Sequence, residues 1–188
     1  CSVGAPTSYR SHWQAKPVCI QPTMPEAAPA AEGPIPHPIH IMVTGHRPHK
    51  LWGYNDPARD KALVERLKSE INRIRLDGPA IIISGMALGV DMAMAQAAVE
   101  LQLPLKAFVP CTQQDAKWSQ EYKTKYSFYL EYAKRTAGIT WVTRGTYAED
   151  PDCMNKRNKA MVDSSDIAIA VYDGQPSGGT YHCVAYLK

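Results

Sequence analysis

Three turns in this sequence carry residues that could hold an anion, and each turn follows a short apolar run. The first turn lies in VTGHRP, the second in ISGMALGVD and the third in DGQPSGGT. The candidate residues that these turns supply are Gly45, His46, Arg47, Gly85, Gly89, Asp91, Asp173, Gly178, Gly179 and Thr180. Their repeated placement after apolar runs indicates one shared ligand crevice.

Small and cationic residues in such turns suit the recognition of phosphate. Gly178 and Gly179 lack a Cβ atom, so their N–H groups can approach an anion closely. Thr180 can cap the following helix while its hydroxyl donates to a phosphate oxygen. Arg47 adds a guanidinium that can bind phosphate through two parallel hydrogen bonds. A glycine-rich loop with Thr180 as an ordinary N-cap explains the last turn equally well.

Two carboxylates in these turns are the candidates for catalysis. Asp91 could contact a ribose hydroxyl or act as a base, although the helix dipole alone also favours an acidic residue in a first helical turn. Asp173 could accept hydrogen bonds from a sugar, or it could simply begin a turn with Gly174. For Asp91 the dipole is the simpler explanation, and for Asp173 both interpretations stay open.

Other side chains give weaker signals. Asn155, Arg157 and Asn158 could bind a base edge or a phosphate, but by composition they are better explained as a solvated helix face. Trp52 and Tyr54 lie in a loop and could stack on a base. The five cysteines include no CxxC pair, so we expect neither a disulfide framework nor a metal site.

Apolar periodicity predicts the elements that must position these turns. Strands are expected over 39–44, 81–83, 104–109, 139–142 and 167–171, and helices over 57–76, 90–101, 116–136 and 152–162, with a last helix opening at Gly178. Alternating strands and helices predict an α/β fold, namely a mostly parallel sheet with helices on both faces. In such a sheet the turns at the carboxyl ends of the strands line the ligand crevice.

The N-terminal residues 1–38 differ in composition from residues 39–188. They hold eight of the fifteen prolines, which disfavours helices and central strands, so we expect a Pro-rich extended arm or linker before the folded domain. A flexible leader is the simpler interpretation. The alternative is an arm that docks on a protein partner through residues such as Tyr9, Trp13 and Ile20.

Composition excludes several classes of protein. The net charge of +3 is mild and does not indicate the concentrated basic face of a nucleic-acid binder, so we do not expect nucleic acid as a partner. No apolar run approaches the roughly 18 residues of a membrane span, so we expect no membrane insertion. The scattered cysteines fit the reducing cytoplasm. Helix faces that carry tyrosines as well as aliphatic residues make a homo-oligomer plausible.

The order of the motifs resembles a known family. VTGHRP with KLWGY, ISGMALGVDMAMAQAA, FVPC, NKRNKAMVDSSDIAIAVYDG and GGT, spread over about 41–186, resemble the YspA/YpsA-like branch of the SLOG superfamily, relatives of the DNA-processing protein DprA and the LOG hydrolases. The resemblance implies a Rossmann-like domain that binds a nucleotide or an ADP-ribose-like ligand and requires no further cofactor. It adds Ser84 and Asn158 to the candidate residues around that ligand.

Three functions follow as hypotheses. The first is a module that binds or senses a nucleotide-type ligand. The second is a hydrolase of N-glycosidic bonds in nucleotides, with Asp91 or Asp173 as the catalytic carboxylate. LOG hydrolases carry a glutamate shortly after the glycine-threonine motif, whereas Tyr181, His182 and Cys183 follow Thr180 here, which argues against phosphoribohydrolase chemistry. The third is an assembly protein tethered by its N-terminal arm.

Overall fold

The computed structural model describes residues 37–187 as five strands and five α-helices in alternation. The strands are β1 (Ile39–Gly45), β2 (Ala80–Ser84), β3 (Leu105–Val109), β4 (Ile139–Trp141) and β5 (Ile167–Val171). The helices are α1 (Pro57–Arg75), α2 (Val90–Glu100), α3 (Gln120–Thr136), α4 (Cys153–Asp163) and α5 (Gly178–Tyr186). The predicted elements are confirmed within a few residues, except at the start of α3.

The five strands form one parallel sheet in the order β4-β3-β2-β1-β5. In its register, Ile41 pairs with Ile82 on one side and with Ile167 on the other. The predicted α/β Rossmann-like class is therefore confirmed. None of the helices within residues 37–187 is both long and apolar enough to cross a lipid bilayer.

Alternate strand residues pack on opposite faces of the sheet, which places helices on both. Ile41, Val43 and Ile82 belong to a large core beneath α1, α2 and α3. Met42 and Ile83, one position along, belong to a smaller core with residues of α4 and α5. Because the side-chain period of a strand is two, a nearly continuous apolar strand supplies both cores.

Helix α3 begins four residues later than its apolar periodicity predicts. Residues 112–117 form turns, and Gln113 adopts a left-handed φ of 59° that a regular helix excludes. Ser119, with an extended backbone, then precedes the first helical residue, Gln120. Trp118 therefore belongs to the loop before α3.

The strand order reverses at β1. The chain runs from β1 outwards through β2, β3 and β4, then returns to place β5 on the other side of β1. Helix α1 follows β1 onto one face and α5 follows β5 onto the other. The turns after these two strands consequently diverge and leave a crevice at their carboxyl ends. The predicted arm, residues 1–38, lies almost wholly outside the described residues.

Candidate functional site

A cavity of about 290 Å³ occupies the crevice between the carboxyl ends of β1 and β5. The turn after β1, the start of α5 and one side of α4 form its walls. The residues from these elements that matter for its chemistry are Gly45, His46, Arg47, His49, Lys50, Asp91, Asn155, Arg157, Asn158, Gly178, Gly179 and Thr180.

A buried ion pair forms the floor of the cavity. Arg157 Nη1 donates to Asp91 Oδ2 at 2.7 Å, and both side chains are more than nine-tenths buried. The N–H of Ala87 lies 3.4 Å from the same carboxylate oxygen. The hydroxyl of Ser84 donates to the backbone carbonyl of Asp91 at 2.7 Å, which fixes the first turn of α2. The end of β2 thus positions Asp91, and Asp91 positions the guanidinium.

The guanidinium of Arg157 is only partly satisfied by these contacts. Its Nε atom is buried and has no hydrogen-bond partner among the described residues. Buried donors are nearly always paired, because leaving one unpaired costs about 1–3 kcal/mol and more for a charged group. Arg157 lines the cavity, and its unpaired Nε shows that contacts within the described residues do not fully satisfy this guanidinium.

His46 connects the turn after β1 with both segments that follow β5. Its buried ring lies 3.0 Å, through Nε2, from Oδ1 of Asp173, and Nδ1 lies 3.4 Å from the hydroxyl of Thr180. The N–H of Asp173 is 3.3 Å from the same Nε2. These three contacts connect the turn after β1 with Asp173 and with the first turn of α5.

The N-terminus of α5 faces the cavity without a side-chain cap. Ser177 is the N-cap residue but its side chain makes no capping hydrogen bond. The first backbone N–H groups of the helix are therefore available to donate to a ligand. Gly178 has a left-handed φ of 86°, and a Cβ atom on it would lie 3.6 Å from Lys50 Nζ. A free helix N-terminus and an ammonium group thus adjoin each other.

The charge of the cavity walls favours an anion. Arg47, Lys50 and Arg157 supply three cations, whereas Asp91 is the only carboxylate among the described lining residues. That carboxylate is already engaged by Arg157. The positive charge that remains, added to the helix dipole of α5, gives a potential that attracts phosphate or carboxylate groups.

Eight of the predicted ligand residues line this cavity, namely Gly45, His46, Arg47, Asp91, Asn158, Gly178, Gly179 and Thr180. The sequence suggested that Thr180 caps α5. This is wrong, because the helix already begins at Gly178. The hydroxyl of Thr180 faces His46 instead. The remaining four residues, Ser84, Gly85, Gly89 and Asp173, lie behind the cavity walls or at their rim.

These four residues shape the site from outside it. A Cβ atom on Gly85 would overlap the guanidinium of Arg157, so this glycine makes room for the ion pair. Gly89 has a φ of 95°, and a Cβ atom there would lie 2.6 Å from the carbonyl oxygen of His46. Ser84 is fully buried, and the half-exposed Asp173 orients His46.

The interpretation of Arg157 as part of a solvated helix face was wrong. Cys153, Arg157 and Met161 are the buried residues of α4, each four positions from the next. This spacing places the arginine within the apolar stripe of the helix. The same spacing is visible in the sequence and is the signal that composition alone missed. Lys50 carried no such signal, because only the folded turn after β1 brings it to α5.

Both carboxylates that were candidates for catalysis already have partners. Asp91 accepts from Arg157, as described. The N–H of Gln175, and then the ring of His46, lower the pKa of Asp173, which favours its ionised form. Among residues 37–187, no three His, Cys, Asp or Glu side chains lie close enough together to hold a metal ion.

Comparison with known proteins agrees with this fold. Residues 41–188 match the model of the YspA SLOG family. The chain is 28% identical over 154 residues to a UPF0398 protein of Bacillus thuringiensis strain Al Hakam, which covers 79% of this chain and 82% of that one. A UPF0398 protein of Bacillus cereus strain AH187 is equally similar, with the same identity of 28% and the same coverage.

A solved structure shares the same architecture. It is DNA processing protein A from Helicobacter pylori, whose structure was described for its binding of single-stranded DNA. The two chains superpose with a TM-score of 0.52 and 18% identity, over 79% of this chain and 60% of the other. At this identity the similarity concerns the fold alone. The family match confirms the predicted relationship to the SLOG superfamily.

Proposed function

Since this chain belongs to the YspA SLOG family, we propose that the cavity between β1 and β5 binds the phosphate group of a nucleotide or nucleotide-derived ligand. The proposal rests on the guanidinium of Arg157, which lines the cavity and is not fully paired among the described residues. A phosphate oxygen accepts strongly from a guanidinium, and such charge-assisted hydrogen bonds are shorter and stronger than neutral ones.

Two neighbouring features support phosphate over a neutral ligand. The amides of Gly178 and Gly179 begin α5 without a side-chain cap, and helix N-termini of this kind are common phosphate sites. Lys50 Nζ lies beside Gly178 and adds a mobile point charge. Phosphate bound here would meet a guanidinium from α4, amides from α5 and an ammonium from the turn after β1.

The size of the cavity limits what part of the ligand it holds. Its volume of about 290 Å³ lies just below the range for small-molecule sites, which runs from about 300 to 1,000 Å³. A phosphate with an adjoining sugar is a suitable occupant, and a whole nucleotide would extend beyond it. Asn158 offers an amide to the sugar hydroxyls from the same wall.

Titration calorimetry on the full chain tests this function. We expect inorganic phosphate and ribose 5-phosphate to bind, and Lys50→Met to weaken both because one charge is lost without any change in the core. Charged hydrogen bonds contribute about 1.5–3 kcal/mol, so Arg157→Lys, which retains the charge but loses the planar donors, should weaken binding roughly 10- to 150-fold. Arg144→Met, at an exposed arginine outside the cavity, is the matched control.

The proposal fails if phosphate compounds do not bind, or if Lys50→Met and Arg157→Lys bind them as tightly as Arg144→Met does. Thermal melting of each variant, without ligand, separates lost binding from lost folding. Release of free base from nucleoside monophosphates, measured in the same samples, tests the hydrolase hypothesis. Asp91 already accepts two hydrogen bonds, which gives it a positioning role towards Arg157 in the proposed site.

A further inference from the structure

A second groove, of about 440 Å³, opens next to the phosphate cavity. Its walls come from the turn after β1, the turn before α2 and the loop that precedes α3. The side chains that give it its character are Arg47, Tyr54, Leu88, Lys117, Trp118 and Tyr122. We call it the aromatic groove.

The aromatic groove and the phosphate cavity share a boundary. Arg47 is exposed and lines both of them. Ala87 lines the cavity and the next residue, Leu88, lines the groove. A single ligand that passed over Arg47 would therefore occupy both spaces, with the guanidinium of Arg47 between its two halves.

The aromatic rings of the groove make edge-to-face contacts with tyrosines. The ring of Trp118 packs edge-to-face on the buried Tyr126, with centroids 5.2 Å apart. Tyr54 and Tyr122 are also edge-to-face, at 6.3 Å, and the hydroxyl of Tyr122 donates to the carbonyl of Tyr54 at 2.9 Å. Tyr54 is nevertheless 45% exposed. Preorganised rings with accessible surface are the usual platform for stacking an aromatic ligand.

The polar residues of the groove agree with a nucleotide rather than an apolar ligand. Arg47 and Lys117 are cationic, and no carboxylate lines the groove among the described residues. Asn55 and Ser119 also line it and offer an amide and a hydroxyl. Ser119 makes no capping bond to α3, so its hydroxyl is available to a base edge.

We propose that the aromatic groove holds the nucleobase of the ligand whose phosphate lies in the cavity, stacked against Tyr54 and Trp118. This inference rests on the proposed function and extends it, because it assigns the base as well as the phosphate. It predicts that the base contributes to affinity through stacking, with Arg47 spanning the sugar-phosphate between the two subsites.

The test compares adenosine monophosphate with ribose 5-phosphate, which differ by the base. The wild-type chain should bind adenosine monophosphate about tenfold more tightly, a difference of about 1.4 kcal/mol, since stacking of the base on an aromatic residue adds to affinity. Tyr54→Ala and Trp118→Ala should each remove most of that difference while they leave ribose 5-phosphate binding unchanged. Phe128→Ala, an exposed aromatic of α3 outside the groove, should behave as wild type.

Trp118 packs on Tyr126, so Trp118→Ala is expected to lower stability as well. Tyr54 is half-exposed, so Tyr54→Ala is the variant that decides between the outcomes. The inference is overturned, and the proposed function kept, if adenosine monophosphate and ribose 5-phosphate bind equally. If the wild-type chain binds neither compound, both the proposed function and this inference are wrong. If a single-stranded oligonucleotide binds through Tyr54 while mononucleotides do not, the groove serves nucleic acid and this inference is wrong.

Discussion

The buried ion pair gives a stability prediction that can be tested without knowing the ligand. Asp91→Asn keeps the shape of the side chain and removes its charge, so the guanidinium of Arg157 stays buried without a counter-ion. Both side chains are more than nine-tenths buried, so water screens the pair little. The buried Nε of Arg157 already has no hydrogen-bond partner within residues 37–187, which leaves the guanidinium few ways to compensate.

Removing one partner of a buried ion pair costs about 3–5 kcal/mol. We expect the lower end, about 3 kcal/mol, because the amide oxygen of asparagine still accepts one hydrogen bond from Arg157. For a chain of this size each kcal/mol lowers the melting temperature by about 2–4 °C, so Asp91→Asn should melt roughly 6–12 °C below wild type.

Urea denaturation followed by circular dichroism measures this change directly. Asp77→Asn is the matched control, because Asp77 faces Arg75 at 3.7 Å but is 97% exposed and should contribute nothing measurable. The double variant Asp91→Asn/Arg157→Met should recover most of the loss, since it removes the uncompensated charge. Phosphate should raise the melting temperature of Asp91→Asn, because an anion at Arg157 replaces the missing charge.

Unfolding of Asp91→Asn at the same urea concentration as Asp77→Asn would contradict the assigned role of the ion pair. A free energy of unfolding that is lower for the double variant Asp91→Asn/Arg157→Met than for Asp91→Asn would contradict it as well. Either result would mean that the guanidinium finds other partners, and its unpaired Nε would then be no argument for a ligand.

Further predictions concern the glycines and a buried thiol. Gly85→Ala should displace the Arg157 guanidinium and lower both the melting temperature and the phosphate affinity. The added Cβ of Gly179→Ala would lie 3.9 Å from its nearest neighbour, so this variant should fold as wild type and lose affinity only. Melting curves and calorimetry of both variants distinguish the two roles. Burial and the neighbouring Cys111 raise the pKa of Cys153 to about 11, so its contribution to stability is complete below the ordinary thiol pKa of 9.0 and is lost as the pH rises through about 11. Urea midpoints between pH 8 and 11 should therefore fall more steeply for wild type than for Cys153→Ala; equal slopes would contradict this assignment.

The amino-acid sequence by itself determined the elements and their order. A continuous apolar run such as 81–83 indicates a strand buried on both faces, and a stripe such as Leu67 with Ile71, four positions apart, indicates the buried face of a helix. Glycines at the ends of these runs identified the turns, and the succession of motifs identified the family. These signals are local, so one chain is enough to detect them.

The tertiary structure alone decided how the site is built. Arg157 and Asp91 are 66 positions apart, and His46 and Thr180 are 134 apart, so no local pattern links them. The strand order places β1 between β2 and β5, and this neighbourhood brings Gly85 beneath the guanidinium and Lys50 beside Gly178. Which polar groups stay unpaired is settled by that long-range packing, because a side chain's burial depends on the elements that cover it and not on its own neighbours in sequence.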